Sequence, residues 1–380
     1  MLSENTQLIR KSRLLLLDLL LLDINKYLDL FFFENSVYLD KKYTTVLEEV
    51  GIVRNENGKW VANVMVFPFR QKLIVTDFLL SKYRKKGEIS HRGLDDVWVM
   101  FPHETLLFIE RLGKIKGKQA LDIASGSGAI SLFLADKFKT VTASDINPKA
   151  VKYARFNAVL NNLDNKIINI QSDMFSKLGN TKYDFICWNG PTVAMPEIDE
   201  PDKVYPLYTY GGFDGAEFTR KFLDQVFLYT NKGYVIKWWD GCLGDSQQST
   251  VEKYIRTKLS DLPIKVTIEF LNKRRGVLLK EYDRLYDKYC LDKFDLGQNS
   301  EQRGKAEIIW REKLEKNNLS RVYISIITMR QSDRFELVYK DTKKTLVSPR
   351  HVFGFEWHKV PRKFIRSYLL KYWGLRYFPV

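Results

Sequence analysis

Cysteine is scarce in this chain of 380 residues: Cys187, Cys242 and Cys290 lie far apart, and no CxxC pair occurs. That excludes a disulfide framework and a cysteine-type zinc site, and it fits a reducing cytoplasm. Histidine is equally sparse, with His91, His103, His351 and His358 and no HExxH spacing, so no metal site is expected. Long apolar runs are missing too. The strongest, LLLLDLLLLDI from Leu14 to Ile24, is interrupted by Asp18 and Asp23 and falls short of the roughly 20 residues a membrane span needs. No small-residue cleavage site follows it, so neither a signal peptide nor a membrane partner is expected, and the run is read as a buried helix. No internal repeat or low-complexity segment is visible.

Aromatic residues, at 14%, and positive charge are plentiful. The net charge is +15, and +12 of it falls in residues 241–380, which hold 29 basic and 17 acidic side chains. A basic region of this kind attracts RNA, an acidic polypeptide or a membrane surface. A solvated lysine-rich face is the blander reading of the same charge. The apolar fraction of 45% is that of an ordinary globular protein, and the length accommodates two or three domains.

Residues 1 to about 48 read as helical, from leucine and isoleucine at near-helical spacing, and Gly51–Leu80 as short strands. The middle third alternates. QALDIA (119–124), TVTASD (140–145), IINIQSD (167–173), YDFICWNGP (183–191) and YVIKWW (234–239) are strands. GAISLFLADKF (128–138), NPKAVKYARFNAVLNNL (147–163) and AEFTRKFLDQVFLYT (216–230) are the helices between them. Such alternation predicts an α/β fold, a Rossmann-like, doubly wound parallel sheet with the strand ends along one edge. Beyond it, VTIEFL (266–271), VYISIITMR (322–330) and FELVYK (335–340) read as strands, AEIIWREKLEK (306–316) as a helix, and FIRSYLLKYWGLRYF (364–378) as a basic aromatic tail. The expected organisation is a helical and β-hairpin region at 1–95, a nucleotide-type domain at 96–244, and a basic α+β region at 245–380 that is either a domain or a set of extensions to the sheet.

The stretch LDIASGSGAISLFLA, Leu121 to Ala135, places Ala124, Ser125, Gly126, Ser127 and Gly128 between a strand and a helix. Such a turn brings backbone N–H groups to a ligand at a helix N-terminus. A dinucleotide site wants a third glycine, which position 131 lacks, and a carboxylate at Asp122 repels a pyrophosphate while suiting a ligand with a cationic amino-acid portion. Asp145, followed by Ile146, ends the next strand and can accept both hydroxyls of a ribose. Asp173 can accept from an adenine amino group while Met174 covers the ring. Asn189-Gly190-Pro191 ends the fourth strand. Each has a structural alternative as a cap or a turn, but four polar strand ends in order point to one crevice.

This constellation resembles the class I S-adenosylmethionine-dependent methyltransferases, which implies S-adenosyl-L-methionine as cofactor. Three stretches narrow it. Pro102-His103-Glu104-Thr105 is similar to the P-R-P-E-T segment of the release-factor glutamine methyltransferases (HemK-like), Asn189-Gly190-Pro191 stands where that family has N-P-P-Y, and Gly211–Leu223 is similar to its G-G-x-D-G segment. The resemblance covers about residues 95–240. It implies that Glu104, Thr105, Asp122, Ala124, Gly126, Gly128, Asp145, Ile146, Asp173, Met174 and Asn189 border the cofactor, and that Asn189, Gly190 and Pro191 position the acceptor. In the family an asparagine side chain and a proline carbonyl hold the target amino group, and an aromatic residue packs on the planar nucleophile. Here Gly190 replaces the first proline and Thr192 the aromatic residue, with Trp188 and Phe213 as candidate replacements. Glu104 or Asp214 could take a proton. Methylation of a nitrogen in a protein or peptide is the leading expectation. A ribosomal RNA base, a small natural product, and a non-catalytic cofactor-binding scaffold are the alternatives.

Overall fold

The computed structural model describes residues 1–78, 95–97, 104–197, 205–272, 274–279, 300–341 and 363. Three helices open the chain, α1 (Thr6–Leu22), α2 (Ile24–Phe31) and α3 (Lys41–Glu49). Asn5 caps α1 by accepting from the Gln7 and Leu8 amides, and Asp23 caps α2 by accepting from Lys26. The leucine run is therefore one stripe of α1 and not a fully buried helix. Leu16, Leu19 and Leu20 are buried, Leu14 and Leu22 are 68% and 73% exposed, and Asp18 pairs with Lys42 and Tyr43. No helix among the described residues is long and apolar enough to cross a membrane.

Two hairpins follow, β1 (Val53–Glu56) with β2 (Lys59–Ala62), and β3 (Met65–Phe69) with β4 (Lys72–Thr76). The first turns through Asn57-Gly58, both at positive φ, as a two-residue hairpin loop requires. After α4 (Glu104–Glu110) the alternation begins: β5 (Gly117–Ile123), α5 (Ala129–Leu134), β6 (Phe138–Asp145), α6 (Pro148–Leu160), β7 (Ile167–Gln171), β8 (Tyr183–Trp188), α7 (Glu217–Gln225) and β9 (Thr230–Asp240). The later elements are β10 (Leu243–Gly244), α8 (Thr250–Lys258), β11 (Ile264–Phe270), β12 (Val277–Leu278), α9 (Ser300–Lys316), β13 (Arg321–Val322), β14 (Ser325–Gln331) and β15 (Glu336–Asp341).

The central sheet runs β15-β11-β14-β9-β8-β5-β6-β7, and among its described strands β14 alone runs against its neighbours. This is the doubly wound, Rossmann-like α/β architecture. The chain leaves β5 in one direction through β6 and β7, then returns to β8 on the other side. The carboxyl ends of β5 and β8 are therefore adjacent, with Ile123 paired to Trp188, and a crevice opens there. The described strands β11, β14 and β15 continue the same sheet, so a division at residue 244 cuts it between β9 and its partner β14. The stretch predicted as one strand at 322–330 is two, β13 in a small sheet with β10 and β12, and β14 in the large one. Residues 364–378 lie outside the described residues.

The first region is tied to the sheet layer through α6. Asn157 and Asn161, one helical turn apart, face β4 as a further strand would. Asn157 accepts from the Val75 amide at 2.8 Å and donates to its carbonyl at 2.9 Å, and Asn161 does the same with Leu73 at 2.9 and 2.7 Å. The edge of β4 is thus satisfied by side chains of the domain it packs on.

Candidate cofactor and active site

The turn after β5 coils tightly: Ala124, Gly126 and Gly128 have φ of +54°, +53° and +75°. The two glycines serve different ends. A β-carbon on Gly128 would lie 3.0 Å from that of Ala154, so glycine lets α5 seat on α6. One on Gly126 would meet nothing within 4 Å, because that position opens on a cavity. Asp145 holds this turn. Its Oδ2 accepts from the Gly126 amide at 2.8 Å and its Oδ1 from the Asn147 amide at 2.9 Å, while Asn147 itself caps α6. Burial pushes the Asp145 carboxyl above its ordinary range, opposed by those backbone donors. Each oxygen retains a lone pair for a ligand hydroxyl.

The cavity, of about 210 Å³, sits at the ends of β5, β6 and β8. Of the residues singled out in the sequence, Thr105, Ala124, Gly126, Asp145, Ile146, Asp173, Met174, Asn189, Gly190 and Pro191 line it. Asp96, Asn147, Tyr208 and Phe218 line it as well, without having been predicted there, and so does Trp188, which the sequence offered as a platform for the acceptor. Asp96 comes from the short segment 95–97. Val97 donates to Asp77, which also holds Lys149 at 2.8 Å and the Tyr153 hydroxyl at 2.6 Å. No local motif marks that segment.

Asp122 and Gly128 are not brought to the cavity. Asp122 is fully buried, accepting from the Ser131 hydroxyl at 2.6 Å and the Cys187 thiol at 3.3 Å, and burial pushes its carboxyl up to about 6. Side chains alternate along a strand, so Ile123 turns to the cavity while Asp122 turns to α5 and to its β8 partner. A direct contact of Asp122 with a cationic ligand, expected from the sequence, is corrected to a role in anchoring the turn.

The described lining contains Asp96, Asp145 and Asp173 and no lysine, arginine or histidine. A dinucleotide pyrophosphate has no cationic partner in this lining, whereas a cationic sulfonium ligand meets carboxylates, which also serve as acceptors for a ribose and an adenine. Ile123, Ile130 and Met174 supply apolar wall and the turn supplies backbone groups. The residues present fit S-adenosylmethionine. Among the described residues no cluster of metal-ligating side chains occurs.

Asn189, Gly190 and Pro191 follow β8 at the far wall. A β-carbon on Gly190 would lie 2.2 Å from Cζ2 of Trp188, so only glycine passes over that indole. The Asn189 side-chain oxygen is buried without a hydrogen-bond partner among the described residues, while its side chain bonds the Glu104 carboxyl at the start of α4. Glu104 does not line the cavity itself. Burial pushes its carboxyl up to about 7, and the bond from Asn189 pulls the other way. Neither candidate platform is free. Trp188 stacks on Phe222 with centroids 5.6 Å apart, and Phe213 lies under α9, its carbonyl bonded by Trp310 and its ring 4.0 Å from the Lys313 ammonium. Thr192 is buried against the Gly241 backbone. Asp214 is not among the cavity residues: it is buried, accepts from the Ala216 amide at 3.0 Å just ahead of α7 and pairs with Arg220 at 2.6 Å.

A family model described as "Methyltransferase small domain" matches residues 97–200. The chain is 34% identical over 166 residues to a putative protein N5-glutamine methyltransferase of Methanocaldococcus jannaschii, covering 43% of this chain and 80% of that one. It is 34% identical over 166 residues to a release factor glutamine methyltransferase of Rhodopirellula baltica, covering 40% of this chain and 56% of the relative. A ribosomal protein uL3 glutamine methyltransferase of Francisella tularensis is 28% identical over 172 residues, with 52% of its length covered. The chain thus spans little more than half of these two bacterial relatives. Among solved structures, a Methanocaldococcus jannaschii tRNA m1G37 methyltransferase aligns at 15% identity and a TM-score of 0.42, over 74% of this chain and 59% of that one. The agreement with the archaeal relative runs over most of that protein, and the match to the family model, residues 97–200, takes in the glycine turn and the strand ends around the cavity: the chain belongs to the HemK-like family of class I S-adenosylmethionine-dependent methyltransferases.

Proposed function

We propose that this protein transfers a methyl group from S-adenosylmethionine to a side-chain nitrogen of a protein or peptide in the cytoplasm. The observation that carries the reading is the buried, unpartnered oxygen of Asn189 at the wall of an acidic cavity. A buried acceptor left empty is costly, and a substrate N–H satisfies it. When bound, the cofactor supplies an electrophilic methyl group on a sulfonium. Asp145 would hold the ribose hydroxyls, Asp173 and Met174 the adenine, and the Ala124–Gly126 backbone the amino-acid portion. Asn189 orients the nucleophile, with Gly190 and Pro191 shaping the turn beside it, so positioning accounts for most of the rate. The ionised Glu104 carboxylate accepts from the Asn189 amide nitrogen and so keeps the amide oxygen turned to the substrate. Glutamine methyltransferases among the relatives support a protein substrate, and we assign its selection to residues 1–95 and 245–380, which lie outside residues 97–200 matched by the family model.

The test is S-adenosylmethionine with a labelled methyl group, added with the pure protein to an extract of the source cells. Label released by protease is the expected result. Label released by nuclease would make the substrate RNA, and label passing a size cut-off would make it a small molecule. Absence of label, with cofactor binding demonstrated, would reduce the protein to a scaffold.

A further inference from the structure

We infer that Asp96 is a cofactor-binding residue supplied from the N-terminal side of the fold, its carboxylate pairing with the ammonium of the cofactor's amino-acid portion. The inference rests on the S-adenosylmethionine reading of the cavity, and Asp96 lies ahead of residues 97–200, the span of the family match. An ammonium taken out of water needs an acidic partner. The carboxylate that the sequence offered for it, Asp122, bonds Ser131 and is not in the lining. Three carboxylates remain in the described lining, Asp96, Asp145 and Asp173. Asp145 is committed to the turn through the Gly126 and Asn147 amides, with a lone pair left on each oxygen for a ribose hydroxyl. Asp173 stands with Met174 beyond the end of β7, where the adenine is placed. Asp96 is 5% exposed, lines the cavity, and is the acid that no other part of the ligand claims.

Both chain neighbours of Asp96 are pinned. On one side, the Asp77 amide donates to the Val97 carbonyl at 2.6 Å, and the Val97 amide donates back to the Asp77 carboxylate at 2.7 Å. On the other, the Asp95 carbonyl accepts from the Asn147 side chain at 2.9 Å, and Asn147 is the residue whose own amide Asp145 holds. The segment is thus fastened to the end of β4 and to the start of α6 before any ligand arrives. Lys149 lies 3.7 Å from Asp96, but it lies nearer to Asp77, at 2.8 Å, and is shared with Asp95 at 3.7 Å. Among the described residues, three carboxylates around one lysine leave a negative balance, which draws a cationic group and opposes an anionic one. Asp77 and Lys149 do not line the cavity, so they act on the ligand through Asp96 as positioning residues. The cofactor site is completed by a segment seated on the second hairpin, and occupying it ties that hairpin to the sheet.

The test is calorimetric titration of the full chain with three nucleosides: S-adenosylhomocysteine, its deamino analogue, and methylthioadenosine, which lacks the amino-acid portion altogether. Asp96→Asn should weaken S-adenosylhomocysteine roughly tenfold or more, as loss of a charge-assisted bond does. It should leave methylthioadenosine within about twofold of the wild type, which also shows that the variant is folded. The deamino analogue should bind the two proteins alike. Unchanged affinity for S-adenosylhomocysteine overturns the inference. So does a parallel loss for methylthioadenosine, which would put Asp96 on the ribose or in the fold. A parallel loss for the deamino analogue overturns it too, because the ammonium would then not be what Asp96 holds. If Asp96→Asn does not fold, the wild type decides: it should prefer S-adenosylhomocysteine to the deamino analogue roughly tenfold or more, and equal affinities overturn the inference. A wild type that binds none of the three sinks the cofactor reading and this inference with it. One that binds all three while Asp96→Asn changes nothing sinks this inference alone.

Discussion

Gly190 and Trp188 are packed so closely that a single added carbon between them would fall 2.2 Å from the indole. The main chain of the N-G-P turn rides on the ring, and the ring is held from the other side by Phe222. Gly190→Ala should therefore act as an overpacking change, costing about 1–3 kcal/mol of stability in urea unfolding. Because the clash is with one neighbour, Trp188→Ala combined with Gly190→Ala should lose less than the two singles added together. Additive losses would mean that the turn, and not the indole, demands glycine.

Asp145 joins the glycine turn to the cavity. Asp145→Ala removes the acceptor of the Gly126 amide and the group that would take ribose hydroxyls. S-adenosylhomocysteine affinity should weaken by about 1–3 kcal/mol, roughly 5- to 150-fold, by calorimetry. An unchanged affinity would remove Asp145 from the site.

The Glu104–Asn189 pair predicts a pH dependence. Burial raises the Glu104 carboxyl to about 7, so the group is protonated below that pH and ionised above it. The ionised form can only accept, from the Asn189 amide nitrogen, whereas the protonated form can also donate to the amide oxygen and compete with substrate. Thus kcat/KM should rise with pH through about 7 and level off. Glu104→Gln should lower the plateau and flatten the rise. The effect on stability has the opposite sign. A carboxyl with a raised folded pKa stabilises the protein below about pH 4.5, its ordinary value, and that contribution is lost as pH climbs through 7. A wild-type rate profile without a limb near 7 would exclude this role.

Asn157 makes three hydrogen bonds from a fully buried side chain, two to Val75 in β4 and one, at 2.9 Å, to the Ser127 carbonyl in the glycine turn. Asn157→Ala strands those partners. The expected loss is roughly 2–4 kcal/mol in chemical denaturation, larger than ordinary surface substitutions give. A loss under about 1 kcal/mol would mean that water replaces the amide.

Local patterning was enough for much of this. The period-two strands and the helices between them were legible, as were the glycine turn and the polar endings Asp145, Asp173 and Asn189, because a parallel sheet buries its strands and leaves polar groups only where they end. Pairing partners were not legible. Whether Asp122 faces the cavity or α5 depends on which face of β5 meets α5, and whether residues 264–341 form a second sheet or lengthen the first depends on β14 finding β9. Asp96 reaches the site through Asp77 and Lys149, contacts between segments that carry no shared motif. The sequence by itself determined the alternating fold, the ligand-binding edge and a turn without a phosphate cradle. The tertiary structure decided which of those side chains meet, since burial and orientation are properties of neighbours distant in the chain, as the pressing of Trp188 on Gly190 and of Glu104 on Asn189 shows.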